Sequence, residues 1–274
     1  MSAGLLLAIG GTEDRTRERS LLRTFVEAAG GRKARLVVLA APPEGPATGG
    51  HYENVFYDLR AGSVEQLRIA AVGEGPEGAA LDLLEKASGL FLTGGSLLRL
   101  AAALGGTPLG EAIRRRHAAG LVVAGLGAGA AVIAGRVLLE TPRQPPRPAL
   151  GLGLVEGLVF DPSLRPRDRL DRLLAGLASV APEGIDLALG LDADTAAAVS
   201  ADGQLLVLGS GAVTVAELPG PAGAEAVALE VRGRLTPATL GLRLDVLSPG
   251  CRYDLRRRRA LPPAPVPGAV LAGR

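Results

Sequence analysis

A chain of 274 residues is long enough for one large domain or two small ones with an ample core. Its 47% hydrophobic content includes only 3% aromatic residues and no Trp, so that core must be built from Leu, Val and Ala. The formal net charge is +2 and all but Lys33 and Lys86 of the 30 basic residues are arginines, so the pI near 9.0 reflects high-pKa guanidinium rather than a strong positive field and is no argument for nucleic acid.

One cysteine, Cys251, excludes an intrachain disulfide and a thiolate metal cluster. Met1-Ser2-Ala3-Gly4 runs into the apolar Leu5–Ile9 with no basic region before it, and that stretch is far short of the roughly 20 residues of a membrane span. The expectation is a cytoplasmic protein without a membrane partner.

Leu5–Ile9 predicts a buried strand ending in Gly10-Gly11, with a helix to follow from Thr16 to Ala29 that turns Leu21, Leu22 and Phe25 inward. Arg35–Ala40 is a second strand. Pro42, Pro43, Gly45, Pro46, Gly49 and Gly50 predict a loop, with helix resuming over Tyr52–Leu59 and a strand over Val64–Val72. Glu77–Lys86 reads as helix, Leu90–Leu92 as a short strand opening into Thr93-Gly94-Gly95-Ser96, and Leu97–Leu104 as helix again. Thr107-Pro108 pairs a capping hydroxyl with a proline whose missing N–H costs nothing at a helix start, and that helix ends at Ala119-Gly120.

Leu121–Gly125 is then a strand that meets a Gly/Ala corner at Leu126-Gly127-Ala128, with Ala128–Ala134 starting a helix. A parallel strand turning sharply into a helix is where α/β enzymes place a nucleophile or an anion site. The tip of this corner is Gly127, which has nothing to attack with.

Beyond Gly135 the texture changes. Thr141–Pro148 is proline-rich and reads as a surface excursion, Leu158–Phe160 as a strand, and Pro166 as the start of a helix carrying Leu170, Leu173, Leu174 and Leu177. Short strands follow at Leu187–Leu191, Thr195–Val199, Leu205–Leu208, Val213–Glu217, Val227–Val231 and Leu242–Leu247, with a hairpin turn at Ala201-Asp202-Gly203 and an irregular tail over Leu261–Arg274. Alternating strands and helices followed by strands alone predict an α/β fold. Its central sheet is mostly parallel, covered by helices on both faces, with an antiparallel extension in the C-terminal half, all in a single domain over residues 1–274.

Six segments carry a resemblance. Leu5–Arg15, Phe91–Gly95, Ala124–Ala130, Asp161–Arg172, Gly190–Ala196 and Leu247–Gly250 occur in the order found in cyanophycinases, which this chain resembles over nearly its whole length. These belong to a serine exopeptidase family that also contains aspartyl dipeptidase. The resemblance implies a family nucleophile at Gly127, a histidine base at Ser163 and its supporting glutamate at Ala193, so all three triad positions are substituted. It implies oxyanion-hole amides at Gly95 and Ala128, and substrate-facing positions at Ser96, Asp161, Arg167, Arg169 and Arg172. A homodimer, or pairing with an active paralogue, and an acidic or Asp/Arg-type peptide ligand are the partners expected.

The residues read alone agree. A serine needs a base about 2.6–3.2 Å away, and the chain has only His51 and His117. His117 ends the helix that feeds the bottom of strand 121–125, roughly 16 Å from the corner at about 3.3 Å per residue, and reads as a solvated helix-end residue. His51 follows a loop on the corner's side of the sheet. Ser96 and Ser163 are candidates to replace the lost nucleophile, although loop serines mostly cap helices or bond backbone.

Gly125-Leu126-Gly127-Ala128-Gly129-Ala130 also satisfies a dinucleotide fingerprint, but the acid that should follow about 20 residues on is Glu140, too early, and no cofactor is expected. Arg256–Arg259 has no aromatic platforms around it and reads as a solvated or partner-facing run rather than a nucleic-acid site. No His/Cys/Asp/Glu cluster points to a metal. The expected function is a catalytically degenerate cyanophycinase-like protein that binds peptides or carboxylates or serves as a structural partner. The alternative is a working hydrolase with relocated catalytic groups.

Overall fold

The computed structural model describes residues 2–11, 19–40, 46–68, 77–141, 144–162, 170–218, 226–231, 234–239 and 242–262. The apolar run at the start becomes β1 (Leu6–Gly10), buried at every position as a strand covered on both faces must be. There follow α1 (Ser20–Ala28), β2 (Arg35–Ala40), α2 (Pro46–Asp58), β3 (Ser63–Arg68), α3 (Glu77–Lys86), β4 (Gly89–Leu92), α4 (Leu97–Leu104), α5 (Pro108–Ala118), β5 (Val122–Leu126) and the single turn α6 (Ala128–Ala131). The strands pair in parallel in the order β1-β5-β4-β2-β3.

Alternation along each strand feeds two cores. Leu7 and Ile9 of β1 join Leu22 and Phe25 of α1 and Phe56 of α2 on one face. Leu6 and Ala8 join Leu84 of α3, Leu100 of α4 and Ile113 of α5 on the other. Thr107 caps α5 by accepting from the Gly110 N–H at 3.2 Å, with Pro108 in the first turn, as its sequence predicts. Three helix boundaries differ. α1 starts at Ser20, after Arg19 at φ 46°, rather than at Thr16. α2 starts at Pro46 rather than at Tyr52, so His51 lies within a helix and not after a loop; the burial of Tyr52, Val55 and Phe56 outweighs the poor helix propensity of Gly49 and Gly50. The helix after the corner stops at Ala131, short of Ala134.

The second half holds β6 (Arg136–Thr141), β7 (Gln144–Leu150), β8 (Leu158–Asp161), α7 (Leu170–Val180), β9 (Leu187–Leu191), β10 (Thr195–Val199), β11 (Gln204–Gly209), β12 (Val213–Glu217), β13 (Ala226–Val231), β14 (Arg234–Thr239), β15 (Arg243–Leu247), β16 (Arg252–Asp254) and β17 (Arg259–Leu261). The proline-rich stretch expected as a surface excursion is instead a hairpin of β6 with β7. Its Pro145, Pro146 and Pro148 are tolerated because β7 has a partner on one side only.

The antiparallel half divides between two sheets. β10 pairs with β1 across Leu6↔Val199 to Gly10↔Thr195, and β11, β16 and β17 continue outward to complete nine strands. β15, β12, β9 and β8 form a separate sheet of four, in which β8 and β9 are parallel. The inner side of that second sheet, through Leu189, Leu191, Val213 and Val215, packs into the core that holds Ala8 and Val123. α7 covers its outer side with Leu173 and Leu177.

The arginine run expected to be solvated or partner-facing closes the β16–β17 hairpin. Asp254 accepts from the backbone N–H groups of Arg256 and Arg257 at 3.0 and 2.9 Å. Arg258 is partly buried and donates to Asp186 at 2.5 Å and Glu217 at 3.1 Å, one flanking β9 and the other ending β12. It thereby ties the edge of the nine-stranded sheet to the four-stranded one.

Candidate functional site

β5 ends where its backbone can no longer extend. Gly127 stands at φ 57° and ψ −119°, a combination that strains any residue with a β-carbon. Its N–H donates to the Ile9 carbonyl at 3.0 Å, and its own carbonyl accepts from Ala130 and Ala131 at 2.9 and 3.1 Å. The chain therefore reverses from strand to helix within one residue, which is the geometry of a nucleophile elbow.

The turn of helix behind the tip lies directly on the neighbouring strand. A β-carbon on Gly129 would stand 2.2 Å from the Leu92 carbonyl oxygen and 2.8 Å from that of Thr93. Gly129 thus seats α6 against the loop Thr93-Gly94-Gly95, and this contact brings Ala128 alongside the loop that carries Gly95. Thr93 is fully buried and its N–H donates to the Leu39 carbonyl at 3.0 Å, so the root of the loop is fixed to β2. Gly95 itself is exposed, at φ 113°. Ser96 is the N-cap of α4, its Oγ accepting from the Arg99 N–H at 3.4 Å, which is the ordinary role of a serine before a helix.

Around the tip, residues far apart in sequence meet. A β-carbon on Gly127 would have the Gly11 carbonyl oxygen as its nearest neighbour, 3.9 Å away. The Gly11 N–H donates to the Pro162 carbonyl at 2.5 Å, and the β-carbon position of Gly11 lies 3.2 Å from the Ala193 Cα. The 162 and 193 segments thus converge on Gly11, which adjoins the tip. Ser163 follows Pro162 in the chain but, with Arg167 and Arg169, lies outside the described residues. Arg172 belongs to α7. Asp161 ends β8 and is buried at 5% exposure.

Ala193 is exposed on a turn that is locked in place. Asp192 Oδ2 accepts from the Ala212 N–H at 2.9 Å, Thr195 Oγ1 accepts from the Gly211 N–H at 2.8 Å, and the Ser210 hydroxyl donates to Asp194 Oδ2 at 2.8 Å. These clasps to the 210–212 loop are absent from the sequence reading. The closely spaced acids and hydroxyl of Asp192-Ala193-Asp194-Thr195 were the available signal, since such side chains bond nearby backbone readily.

The two histidines sit on α2 and α5. His51 is exposed on α2, its ring edge-on to Tyr52 with centroids 5.3 Å apart. His117 ends α5 at the opposite end of β5 and, contrary to expectation, is buried, with 7% of its surface exposed. Burial lowers its pKa, against a smaller opposing effect of the Leu121 carbonyl, to which its Nδ1 is bonded at 3.0 Å. The imidazole is therefore neutral near pH 7.

The sequence pattern of Peptidase family S51 matches residues 5–199, which run from the start of β1 to the end of β10 and include every segment that converges on Gly127. The chain belongs to family S51. Among its relatives, the cyanophycinase of Trichormus variabilis is 38% identical over 266 residues, covering 94% of this chain and 87% of that protein. The cyanophycinase of Synechococcus elongatus is 34% identical over 262 residues, covering 92% and 80%. A peptidase from an acI-B1 Actinobacterium has the same fold, with a TM-score of 0.60 at 17% identity over 90% of this chain and 97% of its own. Among the described residues of this S51 protein, no group of three or more His, Cys, Asp or Glu could hold a metal ion. No helix among them is long and apolar enough to cross a membrane.

The tip geometry sets an expected stability change. Space is open at the Gly127 β-carbon position, so Gly127→Ala should suffer backbone strain without collision, a loss of about 1–3 kcal/mol. Urea denaturation would register it as a lower midpoint with the m-value unchanged. A variant as stable as the parent would mean that the corner is not held at this φ.

Proposed function

We propose that this chain is an S51-family protein that has lost hydrolytic chemistry and keeps the cleft at its elbow as a binding site for peptides with acidic groups or free carboxylates. The observation that carries the reading is Gly127: the elbow retains the dihedrals of a nucleophile corner and room for a side chain, and offers no hydroxyl or thiol. The resemblance to cyanophycinases puts Ser163 and Ala193 at the positions of base and supporting acid. A serine placed at the tip would still lack a proton acceptor, since His117 is at the far end of β5 and His51 is on an exposed helix face. The binding half of the reading rests on the positions that the resemblance to cyanophycinases assigns to ligand, Gly95, Ser96, Ala128, Asp161, Arg167, Arg169 and Arg172, since guanidinium groups suit carboxylates.

Purified protein should not turn over cyanophycin or β-aspartyl-arginine dipeptide, and a covalent serine-trapping probe should label nothing. Gly127→Ser should remain inactive. Turnover that scales with protein, together with labelling of a single serine, would overturn the reading in favour of a hydrolase with relocated groups. Calorimetric titration of a dicarboxylate peptide should show weak binding that falls as salt is raised. Equal affinity in the Arg169→Ala, Arg172→Ala double variant would remove the arginines from the site.

A further inference from the structure

At the end of the nine-stranded sheet opposite Gly127 lies a cavity of about 480 Å³, within the size range of small-molecule sites. Its walls come from five places: the chain entering β1, the end of α5, the segment 154–156 after β7, the β10–β11 turn and the β16–β17 turn. Leu6, Leu154, Val155 and Val199 supply apolar surface.

Three polar groups on this wall are not consumed by the protein. A carbonyl oxygen only accepts, so the bond from His117 Nδ1 to Leu121 puts the ring proton on Nδ1 and leaves Nε2 as a lone-pair acceptor. Among the described residues Nε2 makes no hydrogen bond, and His117 as a whole has 7% of its surface exposed. The Glu156 carboxylate makes no hydrogen bond or ion pair among the described residues; it lies over the backbone of Gly135 and Gly153, 2.3 and 2.8 Å from where their β-carbons would be. The Arg256 guanidinium has one bond, to the Ala201 carbonyl at 3.3 Å, and no carboxylate within ion-pair distance among those residues. Arg258, on the same wall, is already occupied by Asp186 and Glu217.

A cation with unused donors, an anion with unused acceptors and a neutral acceptor thus line one part-apolar cavity. We propose that this cavity binds a small zwitterion, an amino acid or a short peptide with free ends, with its carboxylate on Arg256 and its ammonium shared between Glu156 and Nε2 of His117. The site is separate from the elbow, because β1 and β5 run the length of the sheet between them. It stands whether or not the elbow is catalytic.

The chain's two histidines allow a direct test. Ring resonances of His117 and His51 would be followed by NMR while alanyl-alanine is added to the full chain, then its N-acetyl form, then its C-terminal amide. The free dipeptide should shift His117 saturably and leave His51 unmoved, and each blocked form should bind at least about tenfold more weakly. Arg256→Gln should abolish the discrimination against the amide, and Glu156→Gln that against the N-acetyl form; both side chains are exposed enough to be exchanged without loss of the fold. The Arg169→Ala, Arg172→Ala protein should behave as the parent, which separates this site from the one at the elbow. Failure of His117 to shift, equal shifts from the blocked forms, or unchanged discrimination in both cavity variants would overturn the proposal.

Discussion

Gly129→Ala is expected to be among the most damaging single-atom changes at the corner, lowering stability by about 3 kcal/mol or more. The added carbon would stand 2.2 Å from the Leu92 carbonyl oxygen, 2.7 Å from its carbon and 2.8 Å from the Thr93 oxygen. All three are backbone, and Leu92 is held by pairing to β2 on one side and β5 on the other, so no flexible group can yield. Alanine would gain at most about 1 kcal/mol in helix propensity, which the collision exceeds. Measured beside Gly127→Ala in the same urea titration, the two separate steric contact from dihedral strain: position 129 has ordinary backbone but no room, and position 127 has room but a strained backbone. If the two midpoints fall equally, or if Gly127→Ala is the more costly, the seating of α6 on β4 is not as described.

Phe91→Ala should cost about 3–5 kcal/mol. Phe91 is fully buried in β4, and its ring lies 4.7 Å from that of Tyr52, 5.2 Å from Phe56 and 5.8 Å from Phe25. In a chain with four Phe, three Tyr and no Trp, this cluster concentrates most of the aromatic packing at one spot. Neighbouring Leu and Val side chains cannot refill a gap bounded by rigid rings without moving α1 and α2. Because β4 leads directly into Thr93–Gly95, the loss should also weaken the binding proposed at the elbow. Near-ultraviolet circular dichroism of the tyrosines and the denaturation midpoint would record it. Val246→Ala, at a position 68% exposed, serves as the control and should change stability by less than about 0.5 kcal/mol. A Phe91→Ala protein within that margin of the parent would contradict the packing.

Much of the fold is legible in the residues because its signals are local. Ser96 and Thr107-Pro108 announce their helices, and the runs at Leu6–Gly10 and Val122–Leu126 can only be buried strands. What stays hidden depends on partners. Nothing within Leu187–Leu191 or Val213–Glu217 says that these strands form a second sheet rather than extend the first, since strand choice is made by the surfaces that meet. His117 looks solvated because Arg114, Arg115 and Arg116 precede it, yet the chain at Gly4, whose N–H donates to the His117 carbonyl, closes over that helix end. At the site, the elbow is readable from its small residues, whereas the meeting of Gly11 with Pro162 and Ala193 joins parts of the chain that no local pattern relates. There only the order of motifs shared with relatives gives a guide. Arg256–Arg258 misleads for the opposite reason: a striking composition is used for an ordinary turn, with Asp254 supplying the acceptors.

The position of β1 also bears on how the protein is made. β1 is made before both of its neighbours, β5 and β10, with Leu6 opposite Val123 on one side and Val199 on the other. At typical synthesis rates of about 5–20 residues per second, roughly 10–40 s pass before the second of these neighbours exists. Throughout that interval one edge of an apolar strand that is fully buried in the finished molecule has no native cover. The nascent chain therefore exposes an adhesive edge until β10 emerges, and a chaperone that shields residues 6–10 over that interval would serve it better than one acting on the released chain.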